Sequence, residues 1–478
     1  MTAPNLVWFR QDLRLADNPA LHACADRPVL AVYVLDDEAA GAWPHGGAQR
    51  WWLHRSLAAL AAEFEARGGR LHLARGRAGE IIPALAASIG AAEVHAGRLY
   101  EPWARRRDEA VSQALAAAGR RLVLHTSSLL HEPHRIRTGQ DKPYSVYTPF
   151  SRALFALGEP PPPLEAPGRI HPVEDAPPGL PLDALALLPG APVPAWWRGF
   201  ETRWTPGEQG AQHRLAAFVA RALAGYDGAR NTPGVEGTSG LSPHLRFGEV
   251  SPRQVWHAAR RGGATGPATF LKEILWREFS YHLLWHRPDM PEQPLQASFA
   301  AFPWQPDRAL LRAWQRGRTG FPIVDAGMRE LWQTGWMHNR VRMIAGSLLV
   351  KHLLQPWQEG AAWFWDTLVD GDLASNSASW QWVAGCGADA APYFRVFNPV
   401  LQGEKFDPDG AYVRRWVPEL ARLPDKLLHK PWEAPTPILA AAGVTLGRDY
   451  PRPVVEHTAG RARALAAYAT LRGAASAA

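Results

Sequence analysis

The chain has 478 residues, 46% hydrophobic and 20% charged, with a formal net charge of +7 and a pI near 9.6. This composition is typical of a globular protein with two or three domains, and the positive charge favours a polyanionic partner. No apolar run could cross a bilayer and no secretory signal is recognisable, so we expect a cytoplasmic protein. The two cysteines, Cys24 and Cys386, exclude a disulfide framework and a cysteine-based metal site, and no metal is predicted.

Residues 1–130 predict an α/β domain with a doubly wound parallel sheet, because apolar strands alternate with amphipathic helical segments. The segment Asp17-Asn18-Pro19 predicts a helix start, with a capping residue before a proline. The helical segments include Trp51–Arg67 and Arg105–Ala118. The predicted strands are Leu6–Phe9, Val29–Leu35, Arg70–Ala74, Glu93–Ala96 and Arg121–His125.

Residues 131–211 are predicted to form a proline-rich connector, since residues 160–194 hold 12 of the 43 prolines. We expect this connector to wrap over the surface between two domains. Strand signals nearly vanish after it, and residues 212–478 predict a large all-α domain. Its predicted helices are Gln212–Ala224, Ser251–Arg261, Pro267–Trp285, Asp307–Arg316, Val324–Thr334, Val341–Leu354, Glu359–Leu368 and Glu456–Leu471.

Two segments of the helical region indicate a ligand site, although each has a simpler explanation. Small and hydroxyl residues at 238–242 precede Pro243, so Ser242 is predicted to cap a helix whose N-terminus can hold a phosphate. An ordinary capped helix accounts for the same residues. Further on, a helix would put Glu273, Trp276 and Arg277 on one face, where a buried structural ion pair is the simpler explanation.

Two more segments concentrate polar and aromatic residues. Residues 334–343 read Thr-Gly-Trp-Met-His-Asn-Arg-Val-Arg-Met, and their His338 alone is more typical of a hydrogen-bonded core histidine than of a base. Residues 370–382 read Asp-Gly-Asp-Leu-Ala-Ser-Asn-Ser-Ala-Ser-Trp-Gln-Trp. A helix there would place Asn376 and Trp380 on one face and direct Trp382 elsewhere.

These motifs, in this order and with these spacings, resemble the DNA photolyase/cryptochrome family over nearly the whole chain. The opening Val7–Leu15 is similar to the N-terminal signature of the family, and Tyr393–Pro399 is similar to a C-terminal motif. The branch that the chain resembles most is that of the class I cyclobutane pyrimidine dimer photolyases. The resemblance implies a U-shaped FAD in the helical domain and repair of pyrimidine dimers in DNA by light.

The resemblance carries FAD-binding roles onto matching positions of this chain. An Arg342–Asp370 pair beside the flavin ring is physically reasonable, because a reduced anionic flavin requires positive charge that is itself held in place. Asn376 matches the residue that faces flavin N5. The implied FAD-binding residues are Tyr226, Thr238, Ser239, Gly240, Leu241, Ser242, Arg277, Arg342, Asp370, Gly371, Asp372 and Asn376.

The implied reaction begins with electron transfer from excited reduced FAD to a dimer flipped out of the duplex, and it ends without net redox change. Glu273 matches the residue that contacts the thymine carbonyls, and burial beside Trp276 would raise the pKa of its carboxyl. Trp276 and Trp382 match the aromatic walls of the dimer pocket, and Asn339 and Met343 match its floor. The implied DNA-binding residues are Arg230, Glu273, Trp276, Asn339, Arg340, Arg395 and Gln402.

Three tryptophans match the electron-transfer chain of the family, with Trp380 nearest the flavin, then Trp357, then Trp304 at the surface. For any single tryptophan, core packing is the simpler explanation. The resemblance also implies a second, light-harvesting pigment. The segment Tyr100–Ala104 lacks the acidic residue expected near position 104 for a folate, which favours a deazaflavin or an empty site.

Met343 favours repair of cyclobutane dimers over the (6–4) photoproduct, whose enzymes carry a histidine pair near the pocket. A blue-light cryptochrome photoreceptor, a (6–4) enzyme and a general nucleic-acid-binding protein with a structural flavin are the alternatives. We expect a monomer that acts in the cytoplasm and associates with the nucleoid when bound to DNA.

Overall fold

The computed structural model describes residues 3–189, 195–262, 267–389 and 394–477; Tyr393 of the C-terminal motif lies outside them. The N-terminal part contains a five-stranded parallel sheet with the strand order β3-β2-β1-β4-β5. The predicted strands are confirmed, with ends that shift by one residue at most. The strands are β1 Asn5–Phe9, β2 Val29–Leu35, β3 Leu71–Arg75, β4 Glu93–Gly97 and β5 Arg121–His125.

The sheet is doubly wound because both of its faces are covered by helices. Val7 and Phe9 of the central strand pack on one side, in the core that contains Trp52, whereas Leu6 and Trp8 pack on the other. A strand that is buried on both faces is apolar along its whole length, which explains the sequence of β1. The covering helices are α1 Pro19–His22, α2 Gly47–Glu65, α3 Ala78–Ser88 and α4 Pro102–Ala117.

The connector contains more regular structure than its composition predicts, although the proline-rich stretch itself is mostly irregular. Helix α5 spans Tyr147–Ala156 and helix α6 spans Arg198–Glu201. Short 3₁₀ turns occur at Pro133–Arg135 and Leu182–Leu185. The division of the chain at residues 130 and 211 stays a prediction.

The C-terminal part is helical throughout the residues that the structure describes, as predicted. No helix in those residues is both long and apolar enough to span a membrane. Short 3₁₀ turns lie at Ala297–Ala301, Pro418–Leu420 and Pro431–Glu433. The helices are α7 Glu208–Arg221, α8 Tyr226–Ala229, α9 Ser242–Phe247, α10 Pro252–Arg261, α11 Pro267–His286, α12 Arg308–Gln315, α13 Pro322–Thr334, α14 Asn339–Ser347, α15 Trp357–Thr367, α16 Leu373–Ala384, α17 Pro399–Phe406, α18 Ala411–Trp416, α19 Asp425–Leu428, α20 Thr436–Ala442 and α21 His457–Ala477.

Several predicted helix boundaries differ from the observed ones, and for α9 and α14 the reason can be identified. Ser242 does not cap α9 but is its first residue, and its hydroxyl accepts a hydrogen bond from the indole of Trp336 at 3.3 Å. Helix α14 begins two residues before the predicted start, because His338 Nδ1 caps it by accepting from Arg340 N. The same helix passes into a π-helical turn at Leu348–His352, so the predicted continuous helix to residue 354 is interrupted.

Buried hydrogen bonds join the sheet to the helical region. Arg14 follows β1 and donates to the carbonyl oxygen of Gly248, just after α9, at 2.9 Å. The indole of Trp52 on α2 donates to the buried carboxylate of Glu249 at 2.9 Å. The two parts therefore share polar groups that neither part satisfies alone.

Helix α15 approaches α16 closely at Gly360. A Cβ atom at this position would overlap the six-membered ring of Trp380 on α16. We predict that Gly360→Ala lowers the free energy of unfolding by about 1–3 kcal/mol, because the core must shift to accept the methyl group. Thermal denaturation measures the effect, with FAD content as a second readout.

The matched control is Gly79→Ala in α3, where a Cβ would meet nothing within 4 Å. This substitution should leave the melting temperature unchanged or raise it slightly. Equal melting temperatures for Gly360→Ala and the wild-type protein would show that the contact with Trp380 is not close enough to matter.

Candidate active site

A cavity of about 580 Å³ opens between α8, the 238–241 loop, α9, α11, α14, α15 and α16. Its volume lies in the range of cofactor and ligand sites, which are about 300–1,000 Å³. All the residues predicted to bind FAD line this cavity. They are Tyr226, Thr238, Ser239, Gly240, Leu241, Ser242, Arg277, Arg342, Asp370, Gly371, Asp372 and Asn376.

The 238–241 loop reaches the cavity through a left-handed turn at Gly240, where φ is +60°. A side chain at this position would be strained, and its Cβ would lie 2.7 Å from the Arg214 guanidinium. The Ser239 hydroxyl accepts a hydrogen bond from Leu241 N at 3.3 Å, which stabilises the turn. Small residues thus hold the backbone of this loop against the cavity, as phosphate-binding loops require.

One ion pair and a helix cap place charged side chains along the part of the cavity formed by α14 and the start of α16. Arg342 donates from Nη2 to Asp370 Oδ2 at 2.8 Å and from Nε to the carbonyl oxygen of Met337 at 2.7 Å. The pair predicted from the sequence is therefore present. Asp372 caps α16 by accepting from Ser375 N at 2.7 Å, and it also accepts a hydrogen bond from the buried hydroxyl of Tyr281.

Several buried polar atoms around the cavity have no hydrogen-bond partner within the described residues. They include Nη2 of Arg277, Nη1 of Arg246 and Oδ1 of Asp370. Such orphan groups are unfavourable in a protein interior unless a ligand satisfies them. Two guanidinium donors and one carboxylate acceptor fit FAD, which carries anionic phosphates and a ring with both donor and acceptor atoms.

Asn376 lies on α16 and its side-chain amide donates to the carbonyl oxygen of Ala361 at 3.0 Å. This bond fixes the orientation of the amide that faces the cavity. Trp380, one turn further along α16, also lines the cavity, so the two residues share one face as predicted. Trp382 also lines the cavity, although it lies two residues beyond Trp380 and therefore on another side of α16, as predicted. The cavity extends around the helix, and the Trp382 indole donates to the carbonyl oxygen of Asp389 at 3.2 Å near the surface.

Glu273 lies on α11 and forms a salt bridge with Arg230, with 2.7 Å between Oε1 and Nη1. Burial raises the pKa of the Glu273 carboxyl, and the charge of Arg230 partly opposes this rise. The direction agrees with the sequence-based expectation, but the partner is new, because Arg230 was predicted only to contact DNA. Trp276, Asn339 and Met343 line the same part of the cavity.

The arginines predicted to bind DNA form a positive group, of which Arg230 and Arg340 line the cavity. Arg340 donates from Nη2 to Asn231 Oδ1 at 2.6 Å and also lines the cavity. Burial lowers the pKa of Arg340, and the positive charges of Arg230 and Arg395 lower it further. Arg395 is exposed and Gln402 is half-buried on α17, and both lie outside the cavity lining.

The three tryptophans of the predicted electron-transfer chain differ in their exposure. Trp380 lines the cavity, Trp357 is buried at the start of α15, and Trp304 is half-buried against Phe302 with 4.3 Å between the ring centroids. Gly360 brings α15 against Trp380 one turn after Trp357. Their role in electron transfer stays a prediction.

Arg246 and Trp336 are among the cavity residues that the sequence analysis did not assign to the site. Arg246 on α9 is buried and donates from Nε to the carbonyl oxygen of Gly371 at 2.6 Å. Trp336 lines the cavity between Ser242 and Arg342. A basic residue one turn after the predicted phosphate loop was a usable signal for Arg246, whereas Trp336 could not be distinguished from a core tryptophan.

A doubly wound sheet is joined to a helical region whose cavity, of cofactor size, is surrounded by unpaired donors and an acceptor, an arrangement that fits a flavin-binding protein. The family model described as DNA photolyase matches residues 5–168, and the model described as FAD binding domain of DNA photolyase matches residues 270–470.

Three similar proteins agree with these matches. A deoxyribodipyrimidine photo-lyase of Agrobacterium fabrum is 51% identical, over 98% of this chain and 98% of its own. Cryptochrome-2 of Arabidopsis thaliana is 39% identical over 95% of this chain and 77% of its own. A crystal structure of a bacterial class III photolyase from Agrobacterium tumefaciens has a TM-score of 0.95 and 51% identity, and covers 99% of this chain and 98% of its own.

The chain belongs to the DNA photolyase/cryptochrome family. The comparisons confirm the predicted fold, the FAD-binding domain and an enzyme of the photo-lyase kind. They do not confirm class I, because the solved relative named above is described as class III.

We predict that Asp370→Asn weakens FAD binding roughly tenfold, about 1.4 kcal/mol, because Arg342 loses its ionised partner beside the cofactor. The affinity can be measured from the fluorescence of released FAD. The control is Asp366→Asn, which removes a carboxylate that accepts from Gly47 N at 2.8 Å outside the cavity lining. FAD affinities that are equal in Asp370→Asn and the wild-type protein would exclude this role for the ion pair.

Proposed function

We propose that this protein repairs cyclobutane pyrimidine dimers in DNA in a light-dependent reaction. One observation carries the proposal. A single cavity contains the predicted FAD-binding residues together with a buried carboxylate, Glu273, and two indoles, Trp276 and Trp382. A photoreceptor that only senses the state of a flavin would not require such a substrate pocket.

FAD, when bound in its reduced form and excited by light, supplies the electron that opens the cyclobutane ring. The protein binds and orients the dimer and excludes water from it. The flat faces of Trp276 and Trp382 offset part of the energy lost when the dimer leaves the base stack. Asn339 and Met343 would contact the dimer from the floor of the pocket.

Glu273 would stabilise the charge that develops on the dimer. A dimer that has gained an electron carries negative charge on its thymine carbonyl oxygens, and a protonated carboxyl can donate a hydrogen bond to one of them. The raised pKa of Glu273 supports this role, because it increases the protonated fraction at a given pH. Arg230, 2.7 Å from Glu273, can hold the carboxyl in place and compensate its charge when it is ionised.

The DNA backbone would bind at the positive group of Arg230, Arg340 and Arg395, with Gln402 as a neighbouring polar contact. A phosphate there would compensate the positive charge of Arg340, whose pKa is lowered first by burial and then by the charges of Arg230 and Arg395. We also propose that Trp380, Trp357 and Trp304 conduct an electron between the surface and the cavity.

The finer classification follows from the relatives. Identity of 51% to a class III photolyase favours class III for this chain over the class I predicted from the motifs. Met343 supports cyclobutane dimers over the (6–4) photoproduct.

We further propose that the protein is a monomer with domains at 1–130, 131–211 and 212–478. We propose that it is located in the cytoplasm and at the nucleoid, and that its antenna site holds a deazaflavin or is empty.

A blue-light photoreceptor is the second candidate, and the 39% identity to Cryptochrome-2 of Arabidopsis favours it. The decisive experiment uses the purified, reduced holoprotein with thymine oligomers that carry cyclobutane dimers, under blue light and in darkness. Recovery of thymine absorbance only in the light supports the proposed enzyme. Absence of recovery with FAD bound and reduced would favour the photoreceptor, or a (6–4) enzyme if that lesion is repaired instead.

Glu273→Ala should lower the yield of repair, because it removes the hydrogen-bond donor to the dimer. FAD should stay bound, because the substitution removes none of the unpaired buried atoms that fit FAD. Glu273→Gln should retain more repair than Glu273→Ala, because an amide donates a hydrogen bond without a proton equilibrium. In the wild-type protein, repair should fall as pH rises through the raised pKa of Glu273, since the protonated donor exists below that pKa. Over the same pH range Glu273→Gln should show no such fall. The measurements are thymine recovery and FAD absorbance, and full repair by Glu273→Ala would disprove the role.

Trp304→Phe should block photoreduction of oxidised bound FAD, because it removes the oxidisable indole at the surface end of the proposed chain. The absorbance of FAD under continuous light with an external reductant measures this. Trp416→Phe, which changes another half-buried tryptophan of the same hydrophobic core, is the control. If the FAD bound to Trp304→Phe is photoreduced at the wild-type rate, the electron reaches FAD by another route.

A further inference from the structure

Tyr147 stacks on Trp276 more closely than any other described aromatic pair of this chain, with 3.6 Å between the ring centroids and 5° between the planes. Trp276 lines the cavity, whereas Tyr147 does not, so Tyr147 covers the face of the indole that is turned away from the cavity. We propose that Tyr147 is a positioning residue that holds Trp276 as a rigid wall of the lesion site and thereby sets the affinity for damaged DNA. This inference rests on the proposed function.

The hydroxyl of Tyr147 binds the backbone of the turn of α11 that carries Glu273 and Trp276. It donates to the carbonyl oxygen of Lys272 at 2.8 Å, and Lys272 directly precedes Glu273. The stacked ring and the hydroxyl of one tyrosine therefore act on Trp276 and on the backbone beside Glu273. Both groups would move relative to the dimer if Tyr147 moved.

Tyr147 is itself held firmly. It is only 7% exposed, at the first position of α5. One turn further along α5, Phe150 packs on Phe279 and His282 of α11, with ring centroids 5.1 Å and 5.0 Å apart. Helix α5 thus forms a rigid support behind α11, and it belongs to the predicted connector rather than to either predicted domain.

The physical effect is preorganisation. Trp276 is half-buried and faces an open cavity, so without a ring behind it the indole could adopt other rotamers. A base that stacks on a mobile indole must also immobilise it, and this lowers the affinity. Intact DNA does not place a base in the pocket, so its affinity should not depend on Tyr147. The ratio of the two affinities therefore separates positioning from a general effect on folding.

The experiment compares the wild-type holoprotein with Tyr147→Leu, Tyr147→Phe and Phe155→Leu. Dissociation constants are measured for one oligonucleotide with a single thymine dimer and for the same oligonucleotide undamaged. Tyr147→Leu should raise the dissociation constant for damaged DNA about 3- to 10-fold, the range of an aromatic pair, and leave that for intact DNA unchanged. Tyr147→Phe keeps the ring and should stay within about twofold of wild type. Phe155→Leu is the control, because Phe155 lies on the same helix but is 43% exposed and packs on Trp256, with 5.8 Å between the ring centroids. It should preserve the ratio of the two constants.

Unchanged selectivity in Tyr147→Leu overturns the inference, and so does an equal loss of selectivity in Phe155→Leu. If Tyr147→Leu does not retain FAD, ¹⁹F NMR of the wild-type protein labelled with 5-fluorotryptophan tests whether the Trp276 indole is rigid. The ¹⁹F signal that Trp276→Phe removes should be single and narrow without DNA, and a broadened or doubled signal overturns the inference. A wild-type protein that binds damaged and intact DNA equally refutes the proposed function instead, and the ¹⁹F signal still tests whether Tyr147 holds the indole.

Discussion

Asp372 connects the elements that form the cavity. One oxygen of its carboxylate caps the first turn of α16 through Ser375 N, and the other accepts the hydroxyl of Tyr281 from α11. Helix α16 carries Asn376, Trp380 and Trp382, and all three line the cavity. The place where this helix begins, and its direction, therefore decide where an amide and two indoles meet a ligand. A neutral cap would hold the helix, but it would not also supply a charged wall for the cavity.

The sheet contributes to this arrangement, although none of its strands lines the cavity. Gln11 follows β1 and donates to Glu101 at 2.6 Å, and the guanidinium of Arg246 lies 3.8 Å from the same carboxylate. Arg246 in turn holds the carbonyl oxygen of Gly371, immediately before Asp372. A path of buried polar groups thus runs from the end of the central strand to the start of α16. Because hydrogen bonds and one buried ion pair link these groups in series, loosening the sheet should also loosen the cofactor site.

Periodicity was sufficient to predict the sheet, and the resemblance of the motifs to the photolyase/cryptochrome family supplied the predicted cavity residues. Strands such as β1 are apolar on both faces, and the cofactor residues lie in short segments with distinctive residue types. Contacts between distant parts of the chain could not be predicted. The Ser242 hydroxyl is bound by an indole 94 residues away, and Tyr147 reaches a backbone carbonyl 125 residues away. Local patterns assign Ser242 to a cap and leave Tyr147 within a connector, because local patterns contain no information on such partners.

The group of Arg230, Arg340 and Arg395 has a consequence for the free protein. Glu273 compensates the charge of Arg230, but Arg340 and Arg395 leave the mouth of the cavity positive, so it attracts a cloud of small anions from the solvent. A nucleic acid that docks there displaces that cloud and loses condensed cations of its own. Much of the attraction would then be the entropy of ions set free, which is largest in dilute buffer and fades as salt is added. Residues that recognise no base would in this way determine how readily the protein searches DNA in a given ionic environment.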